Sequence, residues 1–114
     1  MIGVLPDTAL QGLIDAGQLA ADTPWADGQL QPASLDLRIG TRAYRVRASF
    51  LATEGASVAH RLDTFTMHEI DLTGGAVLEK GCVYVVPLME RLALPEGISA
   101  VANAKSSTGR LDLL

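Results

Sequence analysis

Apolar residues recur at helical spacing near the start of the chain. Leu10, Leu13 and Ile14 would lie on one face of a helix. The preceding pair Asp7-Thr8 offers typical N-cap residues, and Gly17 is a typical C-terminal stop. The pattern therefore predicts a short helix that begins with Asp7 or Thr8 as its cap and ends just before Gly17.

The pattern loses its helical period after this segment. Residues 18–32 contain several helix and strand breakers and predict a loop, in which Trp25 either anchors the loop or stacks on a base. Apolar and polar residues then alternate over residues 34–39, and Gly40 follows them. This period of two predicts a strand that ends at the glycine.

A second alternating segment covers residues 44–50. Its apolar face begins with Tyr44 and Val46, and its polar face carries Arg45 and Arg47. The segment predicts a half-buried strand. The two arginines either form a solvated face or contact an anion or a partner subunit.

Further short strands are predicted along the rest of the chain. Residues 66–72 and 82–86 have strand composition and are followed by glycine or proline, whereas residues 53–66 are weakly patterned. A turn at residues 95–97 precedes a last strand at residues 98–104. Several short strands with one early helix indicate a mainly β barrel or sandwich.

Composition limits the class of protein. A chain of 114 residues is at most one domain, and no run of about 18 apolar residues suggests a membrane span. The net charge of −4 argues against a nucleic-acid polymer as partner. No signal peptide is evident and Cys82 has no cysteine partner, so we expect a cytoplasmic protein with Cys82 as a small buried residue.

No familiar metal or nucleophile motif is present. His60, His68 and Cys82 lack a zinc-ligand spacing, so we expect no metal site and no zinc. The sequence also lacks a Walker loop, a G-x-G-x-x-G fingerprint and a G-x-S-x-G elbow. Chemistry must therefore come from another pattern.

The strongest candidate is the segment Lys-Ser-Ser-Thr-Gly-Arg at residues 105–110. If Ser106 or Ser107 caps a helix, the free N–H groups of its first turn can bind an anion. Lys105 adds a point charge and Arg110 a planar set of donors. The pattern is typical either of a phosphate site or of an ordinary helix cap with flanking charges.

Two motifs together point to a family. Residues 31–40, followed by residues 104–111, resemble the dCTP deaminase family within the dUTPase-like superfamily. Residues 92–100 resemble that family's approach to its phosphate motif, and the early helix ending at residues 17–19 is also similar. The amino-acid sequences of residues 105–110 and 42–47 look most like those of a longer bacterial branch of the family, which has two such domains in tandem.

The resemblance implies a fold and an activity. The implied fold is a distorted β-barrel of the dUTPase-like (β-clip) type, assembled as a homotrimer or a trimer-like arrangement with active sites between subunits. The implied reaction is hydrolytic deamination of dCTP to dUTP and ammonia without a catalytic metal. Mg²⁺ would accompany the nucleotide triphosphate.

The resemblance also implies roles for the residues of the motif. Ser106 and Arg110 would be catalytic, because they help to position and polarise the water and the pyrimidine. Lys105, Ser106 and Ser107 would bind the phosphates. Lysine at the first position keeps the charge of the arginine expected in the family but loses its bidentate geometry.

Attack of water at C4 of cytosine also needs a group that accepts and returns a proton. Serine is too weak an acid and arginine stays protonated, so a carboxylate must do this. The family supplies a glutamate downstream of the serine pair. The chain ends at Leu114, before that motif, so we expect residues 1–114 to be an incomplete, N-terminal portion of a deaminase domain that is inactive alone.

Two other functions remain open from the sequence. One is a dUTPase-type or bifunctional nucleotide pyrophosphatase, in which Asp36 could help to hold magnesium. Asp36 could equally be structural, pairing with Arg38 or capping a turn. The other is a non-catalytic nucleotide-binding or assembly module.

Overall fold

The computed structural model describes residues 3–47 and 54–112. Short strands dominate this part of the chain, with a few helices, which confirms the mainly β fold class. In chain order the elements are α1 (Asp7–Asp15), β1 (Leu19–Ala21), β2 (Leu30–Gln31), β3 (Ser34–Leu35), β4 (Arg42–Val46), α2 (Val58–Phe65), β5 (Thr66–Asp71), β6 (Val83–Val85), β7 (Glu90–Leu92) and α3 (Ser106–Gly109).

The chain divides into two compact units. Unit 1 contains the residues up to Arg38 and those from Met89 onward, and unit 2 is Ile39–Leu88. Unit 1 holds the two-stranded sheets β1–β7 and β2–β3, and unit 2 holds the three-stranded sheet β5–β4–β6. Sheets of two or three strands are too small to close, so the described strands form no closed barrel.

Helix α1 of unit 1 begins one or two residues earlier than predicted. Pro6 is the N-cap residue and makes no side-chain cap bond, so the predicted cap at Asp7 or Thr8 is wrong. The Asp7 carboxylate instead accepts the backbone N–H of Thr8 within the first turn, at 2.8 Å. Gly17 has φ of 75°, a left-handed conformation that favours glycine, and it ends the helix as predicted.

The predicted loop at residues 18–32 is partly wrong, because it contains β1 and β2. Strand β1 pairs antiparallel with β7, so that Leu19 lies opposite Leu92. Strand β2 forms a tight antiparallel pair with β3. These strands have only two or three residues, and such short segments show no measurable period in the sequence.

Strand β4 is the centre of the sheet in unit 2 and lies between β5 and β6. Val46 is buried as predicted, but Ala43 is fully buried while Tyr44 is only half-buried. The pairing with β5 shifts between Arg45 and Val46. Residues 48–50 of the predicted strand lie outside the described residues.

Strands β5 and β6 match the strands predicted at residues 66–72 and 82–86. Helix α2 was not predicted. The Ser57 hydroxyl caps it by accepting the backbone N–H of His60 at 3.2 Å, and Leu62 is its buried residue.

Gly40 lies where two backbone segments of unit 2 approach closely. Its N–H donates to the carbonyl of Pro87 at 2.7 Å, and the neighbouring residues Ile39 and Leu88 form an isolated antiparallel bridge. A Cβ atom at position 40 would lie 2.9 Å from the Pro87 oxygen. The strand predicted at residues 34–39 is therefore reduced to β3 and this bridge.

The turn predicted at residues 95–97 is present. Ile98 N–H donates to Pro95 O at 3.2 Å, and Gly97 has φ of 87°. The strand predicted for residues 98–104 is wrong, because this segment pairs with no strand in the described part of the chain and Val101 is 86% exposed. An apolar composition alone does not form a strand without a hydrogen-bonded neighbour.

No helix in the described part of the chain has the length and apolar character needed to cross a membrane.

Candidate phosphate-binding site

The segment of residues 105–110 forms one helical turn at the surface of unit 1. Helix α3 begins after Lys105, which is the N-cap residue and makes no side-chain cap bond. Capping by Ser106 or Ser107 is therefore wrong. Both serines are the first residues of the helix itself, and their side chains are exposed with that of Arg110.

The helical turn brings the two predicted catalytic residues together along the backbone. The N–H of Arg110 donates to the carbonyl of Ser106 at 3.0 Å. Residues four apart project from the same side of a helix. The arrangement presents two hydroxyls, an ammonium and a guanidinium to solvent, which is a suitable set of donors for an anion.

The structure also brings the two sequence motifs together. Lys105 Nζ donates to Asp36 Oδ2 at 2.9 Å, although the residues are 69 positions apart. The pairing of Asp36 with Arg38 that the sequence suggested is wrong. The lysine side chain is 63% exposed and the aspartate side chain 27% exposed, so this ion pair stands at the surface.

A buried polar network includes Arg38, two residues after Asp36 in the chain. Its centre is Glu90, only 6% exposed, at the start of β7. The backbone N–H of Arg38 donates to both Glu90 carboxylate oxygens, at 3.0 and 3.2 Å, and Arg38 Nε donates to Oε1 at 2.8 Å. Gln29 Nε2 donates to the same Oε1 at 2.6 Å. We call these three residues the Glu90 network.

The arginine and glutamine also hold the loop before β2. Arg38 Nη1 and Nη2 donate to the carbonyls of Pro24 and Thr23, at 2.9 and 3.3 Å. The side-chain oxygen of Gln29 accepts the N–H of Ala26 at 3.0 Å. The Glu90 network therefore joins three separate segments of unit 1.

The network also sets the ionisation of its carboxyl group. Burial by itself raises the pKa of Glu90, but the hydrogen bonds from Arg38 and Gln29 outweigh it and hold this pKa below its usual value. Glu90 is thus a carboxylate near neutral pH, saturated with donors and shielded from solvent. It is unsuited to transferring a proton to a substrate.

Sequence reasoning assigned no function to Gln29 or Glu90. Their partners are far away in the chain: Gln29 and Glu90 are 61 positions apart, and no local pattern indicates such a contact. One sign was available, since Glu90 is a charged residue that directly follows the apolar segment of residues 85–89.

Trp25 lies in the segment that precedes β2. It is half-buried and lines a cleft of about 300 Å³ together with Ile14, Leu30 and Leu35. This position agrees with a role as an anchor of its loop.

In unit 2, Arg45 forms an ion pair with Glu79 at 3.2 Å, and Arg47 is exposed. Cys82 is half-buried, not fully buried as expected, and its thiol lies 3.6 Å from the Glu79 carboxylate. Among the described residues, no three His, Cys, Asp or Glu side chains come close enough together to bind a metal ion.

Comparisons with known proteins agree on one family. A family model described as the 2'-deoxycytidine 5'-triphosphate deaminase N-terminal domain matches residues 1–114. Similar proteins named "dCTP deaminase, dUMP-forming" occur in a Nocardioides species, 33% identical, and in Coprothermobacter proteolyticus, 30% identical. Each match covers 97% of this chain, and 57% and 59% of the relatives respectively, so the chain spans less than two thirds of their length.

A solved structure is also similar. The crystal structure of 2'-deoxycytidine 5'-triphosphate deaminase from Agrobacterium tumefaciens is 56% identical and superposes with a TM-score of 0.88. The match covers 96% of this chain and 33% of that protein.

Proposed function

Because the chain belongs to the family of dCTP deaminase N-terminal domains, we propose that it supplies the phosphate-binding part of a dCTP deaminase active site. The observation that carries the proposal is the ion pair between Asp36 and Lys105, which joins the two motifs. It holds the side chain of Lys105, the residue that directly precedes the exposed Ser106 and Ser107 in the chain. The solved structure that is similar to the chain is itself named a dCTP deaminase.

In this proposal the side chains of the segment 105–110 contact different parts of the substrate. Lys105 and Ser107 bind phosphate oxygens, and Ser106 binds phosphate as well as the attacking water. Arg110 polarises the pyrimidine, because its guanidinium stays charged and offers several donors. All four side chains are exposed and therefore accessible to a nucleotide.

Deamination adds water to C4 and releases ammonia, so one group must take a proton from water and return it to the leaving amine. Glu90 is excluded by its burial and its lowered pKa. We assign this step to the glutamate that the family resemblance implies downstream of the serine pair. The 114-residue chain alone is accordingly predicted to bind dCTP without turnover.

The product that we propose is dUMP. The sequence led us to expect dUTP, but the curated relatives are named dUMP-forming. Formation of dUMP requires cleavage of a phosphoanhydride in addition to loss of the C4 amine. The bifunctional alternative is therefore favoured over simple deamination.

Mg²⁺ enters with the nucleotide in this proposal, since the ion prefers phosphate oxygens and water to a cage of protein ligands. A homotrimeric or trimer-like assembly and a cytoplasmic location also remain predictions. Light scattering coupled to gel filtration would measure the assembly directly.

The test begins with calorimetric titration of dCTP and Mg²⁺ into the 114-residue protein. Wild type is expected to bind, and Lys105→Met is expected to lose about 10- to 150-fold in affinity, because a charged hydrogen bond contributes about 1.5–3 kcal/mol. Lys80→Met is the matched control, since Lys80 is an exposed lysine of unit 2. No binding by wild type at millimolar dCTP would contradict the proposal.

The same samples are then assayed for ammonia and separated by nucleotide chromatography. Binding without ammonia release is the expected result. Ammonia release would show that a group within these 114 residues transfers the proton. Turnover would contradict the predicted inactivity of the chain alone; in that case dUMP as product would still support the proposed product, and dUTP would contradict it.

A further inference from the structure

Glu90 fixes Arg38 from several directions. Its carboxylate accepts both the backbone N–H and the Nε–H of Arg38. On the other side of the residue, the carbonyl of Arg38 accepts the N–H of Met89 at 2.9 Å. The backbone N–H and C=O of Arg38 are thus both hydrogen-bonded, to Glu90 and Met89 respectively, so the backbone at residue 38 has little conformational freedom.

The constraint extends to Asp36, two residues away. The N–H of Asp36 donates to the carbonyl of Gln29 at 2.9 Å, and the side chain of Gln29 donates to Glu90. The segment 36–38 is therefore anchored at both ends to residues of one buried network. These anchors fix the backbone from which the Asp36 carboxylate extends.

Lys105 contrasts with this anchored segment. Helix α3 is a single turn without a buried residue, and the lysine side chain is 63% exposed. A long exposed lysine side chain samples many rotamers unless a partner holds it. Asp36 is that partner, so the position of the ammonium depends on the position of the carboxylate.

We propose that Glu90 is a positioning residue of the phosphate site: through Arg38 it fixes Asp36, and through Asp36 it places the Lys105 ammonium before nucleotide binds. The inference rests on the proposed function in one respect, namely that Lys105 contacts phosphate. The placement of the ammonium can be measured without any ligand.

The first test is Glu90→Gln, which keeps the size of the side chain but removes its charge and one acceptor. Affinity for dCTP with Mg²⁺ is expected to fall about fivefold, within the range of about 0.5–2 kcal/mol seen for residues coupled to a site without touching the ligand. Glu90→Asp, which keeps the charge, is expected to recover part of the loss. Glu69→Gln removes an exposed carboxylate paired with Arg42 in unit 2 and is expected to change nothing.

A double-mutant cycle separates positioning from general destabilisation. In an Asp36→Asn background, Glu90→Gln is expected to cost no further affinity, because the route through Asp36 is already lost. If the two losses multiply, Glu90 does not act through Asp36 and the proposal is overturned. Urea unfolding of each variant confirms that the sample is folded during the titration, and Glu90→Asp serves in the cycle if Glu90→Gln does not fold.

The ligand-free readout is the pair of ε-methylene proton signals of Lys105 in NMR spectra. A held side chain gives two distinct signals, and a freely rotating one gives a single averaged signal. We expect distinct signals in wild type and Glu69→Gln, and averaging in Glu90→Gln. Unchanged signals in folded Glu90→Gln overturn the positioning role, whereas retained dCTP affinity in Lys105→Met contradicts the proposed function alone.

Discussion

The two units carry ion pairs of the same chemistry in different surroundings. In unit 1, Arg38 bonds Glu90, whose side chain is 1% exposed. In unit 2, Arg42 bonds Glu69, and both side chains are about half exposed. The first pair connects segments that are far apart in the chain, because Arg38 also bonds the carbonyl of Pro24. The second pair connects β4 and β5, which are already paired by backbone hydrogen bonds.

The difference indicates that the contribution of an ion pair to the free energy of unfolding depends on its burial. An exposed pair is screened by water and contributes about 0.2–1 kcal/mol. A buried pair gains little over an apolar replacement, but removal of one partner leaves an uncompensated charge. Unit 1 is therefore expected to be sensitive to single charge deletions that unit 2 tolerates.

The largest expected effect comes from Arg38→Met. This substitution leaves the Glu90 carboxylate buried without its main partner, so the free energy of unfolding is expected to fall by about 3–5 kcal/mol. Urea denaturation followed by circular dichroism measures the change.

The matched substitution in unit 2 is Arg42→Met, which exposes Glu69 to water that already reaches it. Its expected cost is below about 1 kcal/mol. Equal losses in the two variants would remove the distinction between the two units.

In unit 2, we expect the most destabilising substitution to be one that disturbs a close approach of two backbone segments. Gly40→Ala places a Cβ atom 2.9 Å from the carbonyl oxygen of Pro87, and neither backbone segment can move without straining the Ile39–Leu88 bridge. We expect a cost of about 1–3 kcal/mol in the free energy of unfolding.

Gly74→Ala is the control for this substitution, because no atom lies within 4 Å of the added methyl group. Its effect is expected to stay within about 0.5 kcal/mol. A neutral Gly40→Ala would show that the two segments separate easily.

The smallest expected effect is the dependence of stability on pH. Because folding lowers the pKa of Glu90 from its ordinary 4.5, its contribution to stability is present above pH 4.5 and is lost as the pH falls through the lower folded value. Urea unfolding of wild type and Glu90→Gln at steps below pH 4.5 measures this difference. If the free energies of unfolding of the two proteins change in parallel throughout this pH range, the lowered pKa of Glu90 in the folded protein is contradicted.

The titration of Asp71 does not affect the difference in stability between wild type and Glu90→Gln. Hydrogen bonds from the Thr73 hydroxyl and N–H lower the pKa of Asp71, but this group is the same in both proteins and cancels in the difference. Only the contribution of Glu90 remains.

Sequence patterns predicted the elements that are long or clearly bounded. The periodic apolar residues before Gly17 gave α1, and the segment before Pro87 gave β6. Strands β1, β2 and β7 escaped prediction because two or three residues contain no period. Helix α2 was missed although Ser57, which caps it, is a recognisable N-cap residue.

For the candidate site, the local motifs were visible and their partners were not. The segment of residues 105–110 was identified from its residue types, and the segment of residues 31–40 from its resemblance to the family. That Asp36 meets Lys105 and that Arg38 meets Glu90 depends on contacts between positions more than 50 apart. Such pairs are set by tertiary structure, which the pattern of a single sequence does not reveal.

Unit 1 is discontinuous in sequence, whereas unit 2 is one uninterrupted segment. The Ile39–Leu88 bridge joins the two ends of unit 2. The residues that flank this bridge in the chain, Arg38 and Met89, are hydrogen-bonded to each other. Closing a long loop costs entropy, and this cost is already met once unit 2 has ordered. We therefore expect unit 2 to fold first and the contacts of Glu90 to form after the rate-limiting barrier, so that their loss speeds unfolding and leaves the folding rate almost unchanged.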